Sequence, residues 1–253
     1  AAADVEGQIK VEYVEMGVAD HQGASTRAAQ AMAEQGVDCI VTLGGDGTNR
    51  VVAKGAGEVP LVPISTGTNN VFPANTEGTL AGMAAGALAT GVLTRDEACR
   101  RSKRIDIYVN GERRDDALVD AAVSTQMFVG ARAVWDTKSL HSMFLTRAEP
   151  ASIGLSSIGS RIMPIAIDDE NGLYIRFTGK PGKNATTVRA PIAPGMISDV
   201  DIQDWKVMTP GEKIEINLQP GTVALDGERE VELLPDQKVY AVLNSDGPWV
   251  VDV

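Results

Sequence analysis

Residues 42–48 read Thr-Leu-Gly-Gly-Asp-Gly-Thr and follow the apolar run Cys39-Ile40-Val41, which sets an acid on a glycine-rich turn just past the end of a strand. Gly44, Gly45 and Gly47 lack a Cβ, so the turn is free to take positive φ and a ligand can touch the backbone. Successive N–H groups in such a turn, or at the start of the helix after it, form a concavity suited to phosphate. Asp46 would be repelled by bare phosphate unless a metal ion or a hydroxyl to deprotonate lies between them. A phosphate cradle beside an acid that can act on an alcohol points to phosphoryl transfer. The same spacing also describes a tight strand-to-helix turn with a solvated Asp46.

Several other charged positions carry two readings each. Arg50 and Lys54 follow the motif one helical turn apart, as surface residues or, for Arg50, as a phosphate neutraliser. Asp226 and Glu228 flank Gly227 and suit either an ordinary hairpin turn or a ligand site. The run Arg100-Arg101-Ser102-Lys103-Arg104 reads as a solvated linker or as a source of one phosphate contact in a cleft between domains. Residues 153–160 are rich in small and hydroxyl side chains, the softness that a backbone needs to approach a nucleotide and equally that of a plain loop.

The elements that must position these residues alternate over the first hundred positions. Short strands are expected at 11–14, at 38–43 (buried on both faces) and at 60–64; helices are expected at 25–35, 48–54 and 79–90. Ser25 or Thr26 is available to cap the first helix, and Gly36 to stop it. This rhythm predicts a parallel sheet with flanking helices, in which ligands bind beyond the carboxyl ends of the strands. Both glycine-rich turns, 44–47 and 65–68, fall there. From Arg104 onward short alternating runs at 105–109, 173–177, 213–217 and 239–243 are separated by Asn110-Gly111, Asn171-Gly172 and Pro181-Gly182, the signals of antiparallel hairpins. The expected organisation is an α/β domain over 1–100 and a mostly antiparallel β domain over 101–253.

Bulk composition narrows the function. The 253 residues carry 43% hydrophobic and 23% charged side chains, ordinary for a globular protein and enough for independent cores. A net charge of −11 argues against nucleic acid or anionic membranes as partners; an anionic ligand must then be held by local donors, magnesium and a few placed arginines. No apolar run spans a bilayer, since 80–93 is mostly Ala and Gly. No basic segment followed by an apolar one opens the chain. Cys39 and Cys99 lack metal-site spacing and predict a reducing, cytoplasmic setting. His21 and His141 are too few and scattered for a zinc enzyme.

Residues 43–48 together with 63–70 (Pro-Ile-Ser-Thr-Gly-Thr-Asn-Asn) are similar to the paired signatures of NAD kinases and of diacylglycerol- and sphingosine-type lipid kinases. Residues 44–55 (GGDGTNRVVAKG), 63–73 (PISTGTNNVFP), 145–159 (LTRAEPASIGLSSIG) and 225–230 (LDGERE) resemble the acetoin-catabolism X group of that ATP-NAD kinase-like superfamily, and they span nearly the whole chain. The resemblance implies a two-domain, NAD kinase-like architecture with the site between an α/β domain and a β-sandwich-like domain. It implies that Asp46 is the general base on an acceptor hydroxyl, and that Gly44, Gly45, Gly47, Thr48 and Asn49 belong to the phosphate-contacting turn. It places Thr68, Asn69 and Asn70 against the nucleotide, Asp120 near the segment that grips NAD, and Asp226 and Glu228 near the site. The implied reaction uses Mg, ATP or polyphosphate as donor and NAD as acceptor, with NADP as product, in a homo-oligomer. Asn49-Arg50-Val51 stands where lipid kinases have Leu-Asn-Glu, Asn70 where they have Asp, and Val119 where NAD kinases have Asn; these departures bear on acceptor identity. A lipid kinase and a nucleotide-binding sensor in acetoin catabolism are the alternative roles.

Overall fold

In a computed structural model, the structure describes residues 10–15, 23–126 and 137–253. The chain forms helix α1 (Ala24–Glu34), strand β1 (Ile40–Gly44), helix α2 (Asp46–Ala56), strand β2 (Leu61–Ser65), helices α3 (Gly78–Ala89) and α4 (Arg95–Ala98), and strand β3 (Cys99–Arg101). Strands β4 (Arg104–Val109), β5 (Glu112–Ala117), β6 (Asp120–Ser124) and β7 (Leu140–Leu145) follow, then helix α5 (Ser156–Ser160) and β8 (Gly172–Arg176). The remainder is β9 (Thr186–Ala193), β10 (Met196–Ile202), β11 (Asp204–Met208), β12 (Lys213–Glu215), β13 (Gly221–Leu225), β14 (Glu228–Leu233), β15 (Val239–Asn244) and β16 (Trp249–Val251). The fold is thus an α/β part with a parallel β1–β2 pair, followed by mostly antiparallel β structure.

The first sheet has the order β1-β2-β16-β3. The last strand of the chain therefore returns to the α/β part, running parallel to β2 and antiparallel to β3, so the β-rich half expected over 101–253 lends it one strand. Helices α1 and α2 cover one face through Ala29, Ile40, Val52, Ala56 and Leu61. Helix α3 covers the other through Val62, Ala81 and Leu88. Strand β1 is an edge strand, and α3 packs over β2 rather than over it. Val41 and Leu43 are consequently 47% and 67% exposed, which corrects the expectation of a strand buried on both faces. Residues 10–15 form no strand, with Val11 and Tyr13 exposed; an extended segment without a ladder partner has nothing to pair its backbone. His21 lies outside the described residues.

In the second half, a six-stranded sheet of order β11-β8-β7-β6-β13-β14 is buried on both sides. One face meets the four-stranded sheet β12-β15-β4-β5 across a core that includes Ile105, Ile107, Val123, Phe144, Val223 and Leu243. The other face is covered by the β9–β10 ribbon and α5, through Met143, Ile158, Leu173, Ile192 and Val200. Asn110-Gly111 closes the β4–β5 hairpin with both residues left-handed, φ 53° and 89°, the geometry that the twist of paired strands favours. Asn171-Gly172 and Pro181-Gly182 close no hairpin. Strand β8 pairs with β7 and β11 instead, because long-range sheet order overrides the local turn signal. Among the described residues no helix is long and apolar enough to cross a membrane.

Helix α1 starts after Gly23 with no side-chain cap. Thr26, expected as a possible cap, instead donates its hydroxyl to Val51 O on α2 at 2.7 Å. The two helices touch backbone to backbone at this point: a Cβ on Gly55 would stand 2.0 Å from Thr26 O and 2.9 Å from Gln30 N. Gly55→Ala is therefore expected to lower stability by about 1–3 kcal/mol, the scale of overpacking. Gly82→Ala in α3, where a Cβ meets open space, should stabilise by about 0.4–1 kcal/mol. Urea midpoints of the two variants against the parent test this opposite pair of signs.

Candidate functional site

Strands β1 and β2 end side by side at Gly44 and Ser65, and both glycine-rich turns lie just beyond them. Together with segments of the β-rich half they wall a cleft of about 410 Å³ lined by Gly45, Asp46, Gly47, Thr48, Asn69, Asn70, Asp120, Asp226 and Glu228. The structure thus brings together residues that are far apart in sequence. Ile153 to Ser156 complete one wall, continuing into α5, whose five residues are all buried; that segment is packed structure. Val71 and Gly227, inside the quoted signatures, also line the cleft, as does Ile192, which no sequence signal marked.

The turn uses its glycines for close approach and not for left-handed backbone. Gly45 has φ −94°, and Gly44 and Gly47 are not among the positive-φ residues, which corrects the expectation of positive φ. A Cβ on Gly44 would stand 2.6 Å from the Thr48 side chain, and one on Gly45 would stand 2.8 Å from Asn70 Oδ1. Asn70 in turn donates to Ser65 Oγ at 2.8 Å, so it clamps the two turns to each other. The first N–H groups of α2 have no intrahelical partner, and Gly47 and Thr48 stand at the cleft; an anion there meets both free donors and the positive end of the helix.

Three expected contacts are placed elsewhere. Asn49 is fully buried and donates to Gly45 O at 2.8 Å while accepting from Thr42 Oγ1, so it braces the turn from below. Gly44 is enclosed beneath Thr48. Thr68 is exposed, hydrogen-bonded to Asn69 and outside the cleft lining.

Each acid in the cleft has a distinct setting. Asp46, the first residue of α2, accepts N–H bonds from Phe72 at 2.7 Å and Val71 at 3.0 Å. Burial raises its carboxyl above the ordinary range, opposed by those two donors and by the Arg147 guanidinium. Asp226 occupies a left-handed position, φ 52°, in the β13–β14 turn. It accepts N–H bonds from Leu118 at 2.9 Å, Val119 at 2.7 Å and Asp120 at 3.2 Å. Burial pushes it up to about 6, with the Leu118 donor pulling down and the Asp46 charge pushing up. Asp120 is only 8% exposed, and its Oδ1 is buried with no hydrogen-bond partner. Burial drives its carboxyl well above the ordinary range, and the like charges of Asp226 and Asp46 add to that.

Cations stand behind these acids. Arg50 is 0% exposed and reaches Asp115 at 3.3 Å, Asp226 at 3.7 Å and Glu228 at 3.7 Å; it is neither a surface residue nor part of the cleft lining. Lys54 pairs with Asp115 at 2.7 Å. Arg147, which carries no spacing signal, is buried against Phe72 and donates to Val71 O at 3.4 Å. The Arg100–Arg104 run is neither a linker nor at the cleft. Arg100 pairs with Asp252, Arg101 with Glu58 and Arg104 with Asp246, while the Lys103 ammonium donates to backbone carbonyls including Asn171 O. Among the described residues no group of three or more His, Cys, Asp or Glu is arranged to hold a metal ion.

Two family models match the chain. Residues 103–246 match the acetoin catabolism protein X C-terminal domain, and residues 4–98 match the ATP-NAD kinase N-terminal domain. Over 247 residues the chain is 40% identical to acetoin catabolism protein X of Cupriavidus necator, covering 96% of this chain and 68% of that protein. Among solved structures, yeast NADH kinase complexed with NADH aligns with a TM-score of 0.49 at 14% identity. That alignment covers 85% of this chain and 62% of the yeast chain.

An unpartnered buried acid among like charges costs stability in its ionised form. Because folding raises the Asp120 pKa, its stabilising contribution is present below the unfolded value of about 3.9 and lost as pH rises through the folded value. Asp120→Asn is therefore expected to melt roughly 2–4 °C above the parent at pH 8, with the difference vanishing near pH 4. Thermal unfolding across that range reads it directly.

Proposed function

This chain belongs to the acetoin catabolism protein X family, and from that premise we propose that it is an NAD kinase-like phosphotransferase. It moves a phosphoryl group from ATP or polyphosphate to a ribose-type hydroxyl, with NAD as the foremost acceptor. The observation that carries this reading is the meeting, in one cleft, of the free N–H end of α2 with the carboxylates of Asp46, Asp120 and Asp226. Phosphoryl transfer asks a protein for positioning and charge stabilisation rather than covalent chemistry, and the cleft is built of those two things. The turn 45–48 holds donor phosphates, Asn69 and Asn70 face the nucleotide, and a cleft carboxylate receives the proton that leaves the acceptor hydroxyl.

Magnesium would shield phosphate oxygens from the acids. The carboxylates of Asp46 and Asp226 are already engaged by backbone N–H groups, and no three-ligand group stands among the described residues. The ion is therefore expected to arrive with the nucleotide, on its phosphates and water. The partners we propose are small nucleotides and further copies of the chain in a cytoplasmic setting. With a net charge of −11, neither nucleic acid nor an anionic membrane is among them.

The test is a mass-spectrometric phosphorylation assay with magnesium, ATP or polyphosphate, and NAD, NADH or diacylglycerol. NADP or NADPH is the expected product. Phosphatidic acid alone would make the protein a lipid kinase, and nucleotide binding without product would make it a sensor. Asp46→Asn is expected to lower turnover by roughly a hundredfold, the scale of losing or misplacing acid–base machinery; turnover near the parent value removes Asp46 from the machinery.

A further inference from the structure

The chain leaves β7 through Thr146-Arg147-Ala148, a segment pinned on both sides of the arginine. Thr146 donates its N–H to Val119 O at 2.9 Å and its hydroxyl to Leu118 O at 2.7 Å. Ala148 exchanges N–H bonds with Ile165 at 2.9 and 3.0 Å. The root of Arg147 is therefore fixed in the β-rich half, while its tip lies in the α/β half. There the guanidinium covers the Phe72 ring, 5.3 Å from its centroid, and donates to Val71 O at 3.4 Å. The N–H groups of the same two residues go to the Asp46 carboxylate, at 3.0 and 2.7 Å. Arg147 is 4% exposed, yet among the described residues it forms no ion pair with a carboxylate. A guanidinium presents several donors in a planar fork and is costly to bury unpaired. One that directs its contacts at a neighbouring peptide and ring, and at no acid, is placed to hold that peptide.

We infer that Arg147 is the positioning residue for Asp46: from the β-rich half it fixes the Val71–Phe72 segment that aims the carboxylate, so both halves together set where Asp46 stands. This inference rests on the phosphoryl transfer proposed above, with Asp46 as the group that takes the hydroxyl proton. In that reaction the acceptor oxygen bonds to the transferred phosphorus as the bond from phosphorus to the donor's bridging oxygen breaks. The shortened donor leaves with the bonding pair, and the hydroxyl proton passes to Asp46. Arg147 is outside the cleft lining and acts only through the segment it holds and through its charge.

The charge has a consequence that packing alone does not. Burial raises the Asp46 carboxyl, and the N–H groups of Phe72 and Val71 together with the Arg147 guanidinium oppose that rise. The other charged groups that face Asp46 are Asp120 on β6 and Asp226 in the β13–β14 turn, both acids. Around Arg147 stand Glu149 on its own segment, Arg100 on β3 and Lys103 beyond that strand. Arg147 is the cation among the groups that act on Asp46, so its removal raises the Asp46 carboxyl further. A base that protonates at higher pH loses its activity sooner as pH falls. A residue that only filled space would leave that pH dependence unchanged.

The experiment is the pH dependence of kcat and KM for the full chain, Arg147→Gln and Arg147→Lys, on the acceptor that the parent phosphorylates. Arg147→Gln is expected to lower the plateau kcat by about tenfold to a hundredfold, the scale of a misplaced reacting group. It should keep KM within about threefold and move the fall in rate at low pH toward higher pH. Arg147→Lys keeps the charge and loses the planar fork, so its kcat falls while the low-pH limb stays with the parent. A limb unmoved in Arg147→Gln, or a parent-like kcat in it, overturns the inference. Where Arg147→Gln does not fold, Arg147→Lys carries the test, and a displaced limb or a parent-like kcat in that variant overturns it. Carbon-13 carboxyl NMR follows Asp46 without turnover: the resonance missing from Asp46→Asn should titrate at higher pH in Arg147→Gln than in the parent. No displacement also overturns the inference. A parent that phosphorylates no acceptor while that resonance is displaced removes the proposed function and leaves the hold of Arg147 on Asp46 standing.

Discussion

Two carboxylates, each gripped by consecutive backbone N–H groups, fix one wall of the cleft apiece, Asp46 in the α/β half and Asp226 in the β-rich half. Asp46 binds the N–H groups of Val71 and Phe72, and Asp226 binds those of Leu118, Val119 and Asp120. The side chains of these same donors, Val71, Phe72, Leu118 and Val119, pack with Val250 into one apolar cluster. Every link is coupled to the next: the acids need the N–H donors because an ionised carboxylate is costly to bury unpaired. The donors keep their positions because their side chains are closed into that cluster. Val250 lies on β16, the strand that returns from the β-rich half, so the closure of the fold and the shape of the cleft depend on the same contact.

Charge is then arranged in layers. The cleft presents acids, and behind them Arg50 and Arg147 are buried without reaching the lining. Arg50 ties Asp115, Asp226 and Glu228 together from below, and Arg147 sits beneath the segment that binds Asp46. These cations steady the acids and leave the cleft negative. In the reaction proposed above, phosphate is received at the N–H groups of α2, where the helix end supplies positive potential. Such a site separates a phosphate-receiving end from a proton-receiving end, as transfer of a phosphoryl group to an alcohol requires.

A parallel α/β part, a β-rich part and a glycine–aspartate turn past β1 were legible from local pattern, because they rest on backbone constraints that neighbouring residues impose. Helices expected at 48–54 and 79–90 appear as Asp46–Ala56 and Gly78–Ala89. The Asn110-Gly111 turn is left-handed at both positions as the dipeptide demands. The family signatures brought Asp120 and Asp226 into consideration, and the structure places both at the cleft. Sequence spacing could not separate Asn49 and Thr68 from true lining residues, since neighbours on one turn point in opposite directions.

By itself, then, the sequence determined which carboxylates, glycines and arginines are available and the local turn that carries Asp46. The tertiary structure alone decided that β1 is an exposed edge, that β16 closes the first sheet, and that Arg50 is a buried counter-charge. It also decided which carboxylates are already bonded and which is left open. Those outcomes depend on long-range pairing and on desolvation at the meeting of segments more than a hundred residues apart, such as Leu118 with Asp226. A carboxylate looks the same in sequence whether three N–H groups hold it or none; only the fold determines how many donors reach it.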